Sequence, residues 1–232
     1  MPDDTMLALK IVARGEVTSF RHPQTMVGVQ LSYEMPPPAT IYGHICSAVG
    51  DRFAPEGLCW AYHFQYEARF IDYEHTHFFG KNQPKMNPTQ RQLLFRPQLT
   101  LYLSDISFRD AFIHPRYPVV LGRSQDTMTY MDVSIITLRR DDTAYFDGTL
   151  LPIDFSYEGK GIQPIGAMQM PRYIDSHRRV THAVYRYIPH KAKVHSWKGR
   201  ADEHVWVDPT SARPSSPDVK RAVIWHTWVD AS

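Results

Sequence analysis

Between Trp60 and Phe70 the side chains alternate: Trp60, Tyr62, Phe64, Tyr66 and Ala68 fall on one face, and Ala61, His63, Gln65, Glu67 and Arg69 on the other. A period of two residues with bulky aromatics on one side is the pattern of a β-strand with one face buried. The strand reads on to Phe79, and Gly80 to Thr89 (GKNQPKMNPT) is turn chemistry. Leu93 to Leu103 is strand-like again, so 60–103 is expected to form a long hairpin with a basic tip. A hairpin of that length needs further strands to cover its apolar face, so the fold must be built around a sheet.

The rest of the chain supplies partners. Leu7 to Val17 reads as a strand, and the apolar stretch 27–33 ends in Pro36-Pro37-Pro38, which imposes an extended backbone. Ala39 to Gly50 carries Ile41, Ile45, Ala48 and Val49 at helical spacing and stops at a glycine. Ser104-Asp105 is placed to cap a short helix over Ile106–Ile113, and Met131 to Leu138 is β-branched and strand-like. The order strand, helix, two strands, helix, strand is the ferredoxin-like βαββαβ pattern, shared with RNA-recognition-motif folds. The expected class is α+β: a ferredoxin-like domain over 1–148 with a hairpin insertion at about 75–97, and a β-rich C-terminal extension over 149–232.

Composition narrows the function classes. With 232 residues, 43% hydrophobic and 22% charged, the chain is long and apolar enough for a sizeable core. It has no apolar run near the roughly 20 residues of a membrane-spanning helix. No secretory signal is visible, and Cys46 and Cys59 are too few for a disulfide framework, so a cytoplasmic protein is expected. The formal charge is only +2. Its distribution is uneven. From His75 to Pro97 there are Lys81, Lys85, Arg91 and Arg96 and no acid, and from Arg172 to Arg200 eight Lys or Arg stand against Asp175 alone. Two basic segments interleaved with aromatics (Tyr33, Tyr42, Phe78, Phe79, Phe95, Tyr173, Tyr185, Tyr187 and Trp197) suit a groove that tracks phosphates, although most such aromatics belong to cores.

Catalytic motifs are scarce. P-loop, G-x-G-x-x-G and G-x-S-x-G patterns are absent, so no cofactor is expected. His75-Thr76-His77 puts two imidazoles on one side of a strand, with Asp72 and Glu74 nearby, but lacks a well-spaced third ligand; no metal site is expected. A metal-free ribonuclease needs a base, an acid and a cation, for which Tyr42, His44, His75 and His77 are candidates. The competing reading, which we prefer, packs Tyr42 on the first helix.

Three groups of residues carry a resemblance. Phe20-Arg21-His22-Pro23 precedes the stretch Ser32–Gly43 (SYEMPPPATIYG); Tyr117–Asp126 ends in LGRSQD; Met170–Ile174 and Val223–Trp228 follow. Together they resemble the CRISPR-associated family Cas five, within the superfamily of repeat-associated RNA-binding proteins, with type I-B the nearest subtype. The resemblance implies a ferredoxin-like domain with a β-hairpin thumb, capping a Cascade surveillance complex at the 5′ handle of the CRISPR RNA. It implies as partners the crRNA, a backbone subunit of family Cas seven and a large subunit of family Cas eight, with target DNA bound in the complex and no membrane. Base pairing by the guide reads the target in such complexes, so protein contacts fall on backbone and shape.

Carried over by motif, Arg21, Thr40, Tyr42, Gly43 and Arg123 are expected near the handle, joined by Lys81, Lys85, Arg91 and Arg96 of the thumb. The N–H groups at the start of the Thr40 helix are an expected anion site. The family commonly has a hydroxyl residue where this chain has Ala39. Type I-C relatives cleave precursor RNA with a first-helix tyrosine and a Lys-His pair; Tyr42 matches the tyrosine, but the dipeptide is missing. A non-catalytic crRNA-binding subunit is therefore the leading expectation, and a metal-independent endoribonuclease using Tyr42, His75 and His77 the alternative.

Overall fold

The structure is a computed structural model that describes residues 4–23, 25, 29–78, 85–190, 195–199, 203–213 and 216–229. Its elements run β1 (Thr5–Gly15), β2 (Val17–Thr18), β3 (Val29–Gln30), α1 (Pro38–Val49), β4 (Trp60–Gln65), β5 (Ala68–Phe78), β6 (Lys85–Phe95) and β7 (Gln98–Leu103). A short 3-10 turn (Ile106–Phe108) then leads into α2 (Arg109–Ile113). The remainder is β8 (Met128–Asp141), β9 (Thr143–Phe146), β10 (Thr149–Pro152), β11 (Ile165–Ile174), β12 (Val180–Ile188), β13 (His195–Lys198), β14 (Val205–Arg213) and β15 (Ser216–Val223).

At the centre of an eleven-stranded sheet the order is β4-β7-β1-β8, with every neighbouring pair antiparallel. With α1 after β1 and α2 after β7, this is the ferredoxin-like βαββαβ arrangement in an α+β protein, as the element order predicts. Strand β1 is covered on both faces: Leu9, Ile11 and Ala13 meet the α1 side, and Ala8 and Lys10 the other. Helix α1 buries Ile41, Ile45 and Ala48, and each isoleucine taken from water contributes roughly 2 kcal/mol. Gly50 closes the helix at φ 92°, a left-handed cap that glycine adopts without strain. Trp60 stacks on Trp228, and Tyr42 and Phe53 pack edge-on against Trp228, which locks the helix to the sheet.

Residues 60–78 and 85–103 are the two arms of a hairpin in one register, from Trp60 opposite Leu103 to Phe78 opposite Lys85. The hairpin bends where it leaves the large sheet. Arg96 takes φ 47° and donates its N–H to the Glu16 carbonyl, while Glu67 N–H reaches Phe95 O. Beyond the bend, β5 and β6 join a second sheet with β2 and β3. This outer part of the hairpin, β5 and β6, is termed the thumb.

The strands of residues 149–232 extend both ends of the large sheet, β10 beside β4 and β14 beside β8. Its full order is β11-β12-β10-β4-β7-β1-β8-β14-β15-β9-β13. Strands β9 and β10 are consecutive, joined only by Asp147 and Gly148, yet stand seven places apart in that order. In a flat sheet they would be roughly 34 Å apart, which two residues do not span. The sheet must curl until these strands meet, enclosing a second core of Phe146, Leu151, Ile188, Trp197 and Val207.

Candidate nucleic-acid interface

The stretch Ser32–Gly43 is held by hydrogen bonds along its length. Ser32 Oγ accepts from Phe20 N–H at 2.9 Å, Tyr33 N–H donates to Phe20 O at 2.8 Å, and Tyr33 OH donates to Gln169 O at 2.9 Å. Tyr62 OH and Trp228 Nε1–H donate to the carbonyls of Pro36 and Pro38. The proline run lacks N–H groups; the carbonyls of Pro36 and Pro38 are satisfied by those two side chains, and that of Pro37 by the backbone N–H groups of Thr40 and Ile41. This fixes the start of α1 beside Arg21.

The LGRSQD loop faces it. Leu121 N–H donates to Asp126 O and Asp126 N–H to Arg123 O, closing a tight turn. Gly122 sits at φ 100°, where a Cβ would stand 2.5 Å from Thr18 Oγ1 and 2.7 Å from Ser19 O. Asp126, 1% exposed, accepts from the backbone N–H groups of Ser19 (3.2 Å) and Arg123 (3.0 Å) and from the Arg123 guanidinium at 2.6 Å. The other side of that guanidinium pairs with Glu74 on the thumb, whose second oxygen takes Arg91 Nε at 2.6 Å. Burial works against the charge of Arg123, but Asp126 and Glu74 outweigh it and raise its pKa.

Arg21, Thr40, Arg91 and Arg123 line one cleft of about 350 Å³, together with Ser19, Pro37, Gly122 and Pro171. Four residues expected at the RNA thus meet in one place. Three arginines there stand against Glu74 and Asp126, so the cleft is only mildly basic. Arg21 is exposed and makes no ion pair among the described residues, whereas Arg91 is buried at 7%. Few N–H groups are free at the helix start. Pro38 has no N–H and Thr40 N–H turns back to Pro37 O at 2.8 Å, which leaves Ala39 N–H as the first-turn donor.

Other expected positions lie elsewhere. Tyr42 faces inward, 4% exposed, donating its hydroxyl to Phe53 O at 2.7 Å; burial first, then the neighbouring Tyr173 and Cys46, raises its pKa. Gly43 is on an exposed face of α1 with open space above it. Arg96 marks the thumb's bend, 3.4 Å from Glu67 and over the Phe95 ring at 5.2 Å. His75 is exposed on β5, and His77 stands opposite Met86 two places on. Lys85 opens β6, and Lys81 and Phe79 lie outside the described residues. His44 is a core residue: its Nδ1–H donates to Val120 O at 2.8 Å, its Nε2 accepts from Tyr130 OH at 3.1 Å, and burial lowers its pKa.

Most aromatics near basic residues are core, including Tyr33, Tyr185, Tyr187 and Trp197. Among the described residues the exposed ones are Phe70 and Tyr73 on the thumb and Tyr117 before the LGRSQD loop, none of which charge patterning singled out. The second basic segment is largely engaged: Arg172 bonds Thr227, Arg179 pairs with Asp175, and Arg186 covers Tyr157 at 5.3 Å. Lys191, Lys193 and Arg200 lie outside the described residues. No helix is long and apolar enough to cross a membrane among the described residues.

Comparison with protein-family models finds no match. Comparison with curated proteins finds none either. Among solved structures, a chain of a "CRISPR RNA-guided surveillance complex" aligns over 83% of this chain and 91% of its own length, with TM-score 0.50 and 13% identity. A CRISPR protein from Archaeoglobus fulgidus aligns over 88% of this chain and 96% of its own, with TM-score 0.48 and 10% identity. What the first likeness shows is a fold: the chain has the mixed α+β, mostly stranded architecture found in a component of an RNA-guided CRISPR complex.

Proposed function

We propose that this chain is a non-catalytic subunit of a type I CRISPR surveillance complex, nearest to type I-B, that holds the 5′ handle of crRNA. In that role it caps the backbone between subunits of the Cas seven and Cas eight families and supports RNA-guided recognition of DNA. The observation that carries this reading is the convergence of Arg21, Thr40, Arg91 and Arg123 on one cleft between the α1 start, the LGRSQD loop and the thumb. The fold likeness supports it, because that neighbour belongs to an RNA-guided assembly. Phosphates enter beside exposed Arg21, and the partly buried Arg91–Glu74–Arg123–Asp126 chain sets the thumb's angle rather than offering RNA two free cations. Tyr42, with its hydroxyl committed to Phe53 and its pKa raised, serves packing and not proton transfer.

The test is filter binding of handle RNA across a salt series. Arg21→Glu is expected to weaken binding and to flatten the salt dependence by about 0.7 for each phosphate no longer neutralised. An unchanged affinity and slope would remove the cleft from the account. The same RNA, labelled and incubated with the protein in EDTA, is expected to stay intact; a specific cut that disappears in Tyr42→Phe would establish the endoribonuclease reading instead.

A further inference from the structure

The curl of the sheet brings together three side chains that are distant in sequence. His63 projects from β4 and is 1% exposed. Asp147 occupies the two-residue turn between β9 and β10, and His190 follows the end of β12. The turn is rigid: Phe64 N–H donates to Gly148 O at 2.9 Å, and a Cβ at 148 would stand 2.1 Å from Phe64 O. Asp147 is thereby pinned against the strand that carries His63.

Both Asp147 oxygens lie 3.0–3.1 Å from His190 Nδ1, and one lies 3.6 Å from His63 Nε2, beyond hydrogen-bond reach. One donor atom from each residue fits within a 4.8 Å span. Neither ring nitrogen of His63 has a hydrogen-bond partner among the described residues. A fully buried imidazole with both nitrogens unpaired is costly, and such groups are rare without a ligand to satisfy them. The rings of His63 and His190 stand perpendicular at 6.2 Å and converge on the carboxylate between them.

We propose that His63 Nε2, His190 Nδ1 and a carboxylate oxygen of Asp147 bind a divalent transition-metal ion, with Zn²⁺ the best match. Ligand bonds of about 2.0–2.2 Å in a tetrahedron set ligands about 3.3–3.6 Å apart, inside the 4.8 Å span of these donor atoms. Two imidazoles and one carboxylate are a borderline donor set that favours zinc over magnesium or calcium. His190 also lines an open cleft with Arg14, Glu16, Gln65 and Gln98, which provides an entry path and room for solvent as the fourth ligand. The ion ties β4, the β9–β10 turn and the end of β12 at the point where the sheet closes. This site is separate from the Arg21 cleft and does not depend on what that cleft binds.

The test uses the untagged full chain, stripped with chelator, dialysed and titrated with Zn²⁺ by calorimetry. One equivalent is expected to bind, with His190→Ala and Asp147→Asn each weakening it by at least about 10-fold, since removing a ligand costs no less than removing a group that only orients one. His182→Ala, an exposed histidine on β12, is expected to leave binding unchanged. Absence of a saturable equivalent, or wild-type affinity in either ligand variant, overturns the proposal. If the variants fail to fold, the wild-type chain still decides: Zn²⁺ is expected to protect His190, but not His182, from diethylpyrocarbonate, and equal reactivity overturns it.

Discussion

Asp126 carries more of the cleft than any arginine in it. Its carboxylate is buried and receives two backbone N–H groups and the Arg123 guanidinium. Removing one partner of such a buried pair leaves the other charge uncompensated. Asp126→Ala is therefore expected to lower stability by about 3–5 kcal/mol in urea unfolding. Gly122→Ala forces a side chain into a left-handed backbone and against Ser19 O, and is expected to cost about 1–3 kcal/mol in the same measurement. Tyr42→Phe removes one hydrogen bond, to Phe53 O, and is expected to cost about 1 kcal/mol while leaving RNA affinity unchanged. The LGRSQD stretch drew attention to Arg123 from the sequence, and the structure places that residue on the cleft. Its neutralisation by Glu74 and Asp126 was not legible there, because a tally of charges along the chain is blind to a carboxylate that arrives from another strand.

At the scale of elements, Glu74 is the link between thumb and body. It bridges Arg91 on the paired strand and Arg123 on the loop, so the angle of the hairpin is tied to the loop beneath it. Glu74→Ala is expected to accelerate amide hydrogen exchange across Gln90–Leu93 with little change in β1 or β8. The hairpin was readable because alternation of aromatic and polar residues persists through Trp60–Ala68. Its bend was not: the positive φ falls on Arg96, where the usual glycine or asparagine signal is missing. The short helix over Ile106–Ile113 was placed correctly by its Asp105 cap, which accepts from Ser107 N–H at 2.8 Å, although its first turn is 3-10.

Across the whole molecule, the closing of the sheet was beyond reach from sequence. Local periodicity reports which face of a strand is buried, but not that β9 and β10, joined by two residues, belong to opposite ends of one sheet. For the same reason His63, Asp147 and His190 did not register as a group, whereas the adjacent His75 and His77 did. The closed sheet also buries a polar network in which Lys10 Nζ reaches Asp208 at 2.6 Å and Tyr102 OH donates to the same carboxylate at 2.8 Å. Burial alone would raise the Asp208 pKa; hydrogen bonds from Lys10, Thr210 and Ser211 outweigh it and bring it to about 2. Burial pushes His226 down to about 4. Both folded values lie below the unfolded ones, so the unfolded chain binds more protons and stability decreases as the pH is lowered. Thermal melts are expected to lose stability in two stages, from about pH 6.5 to 4 through His226, then from about pH 4 to 2 through Asp208. Asp208→Asn is expected to abolish the second stage's contribution from this site.

At the same scale, the central claim is that one face of this molecule holds the 5′ end of a guide RNA while others meet protein neighbours. Hydroxyl-radical footprinting of guide RNA in a reconstituted complex, with and without this chain, tests that claim most directly. Adding the chain is expected to protect the riboses of the 5′ handle, and Arg21→Glu to weaken that protection. Protection elsewhere on the guide, or a 5′ end equally exposed in both complexes, would contradict the claim.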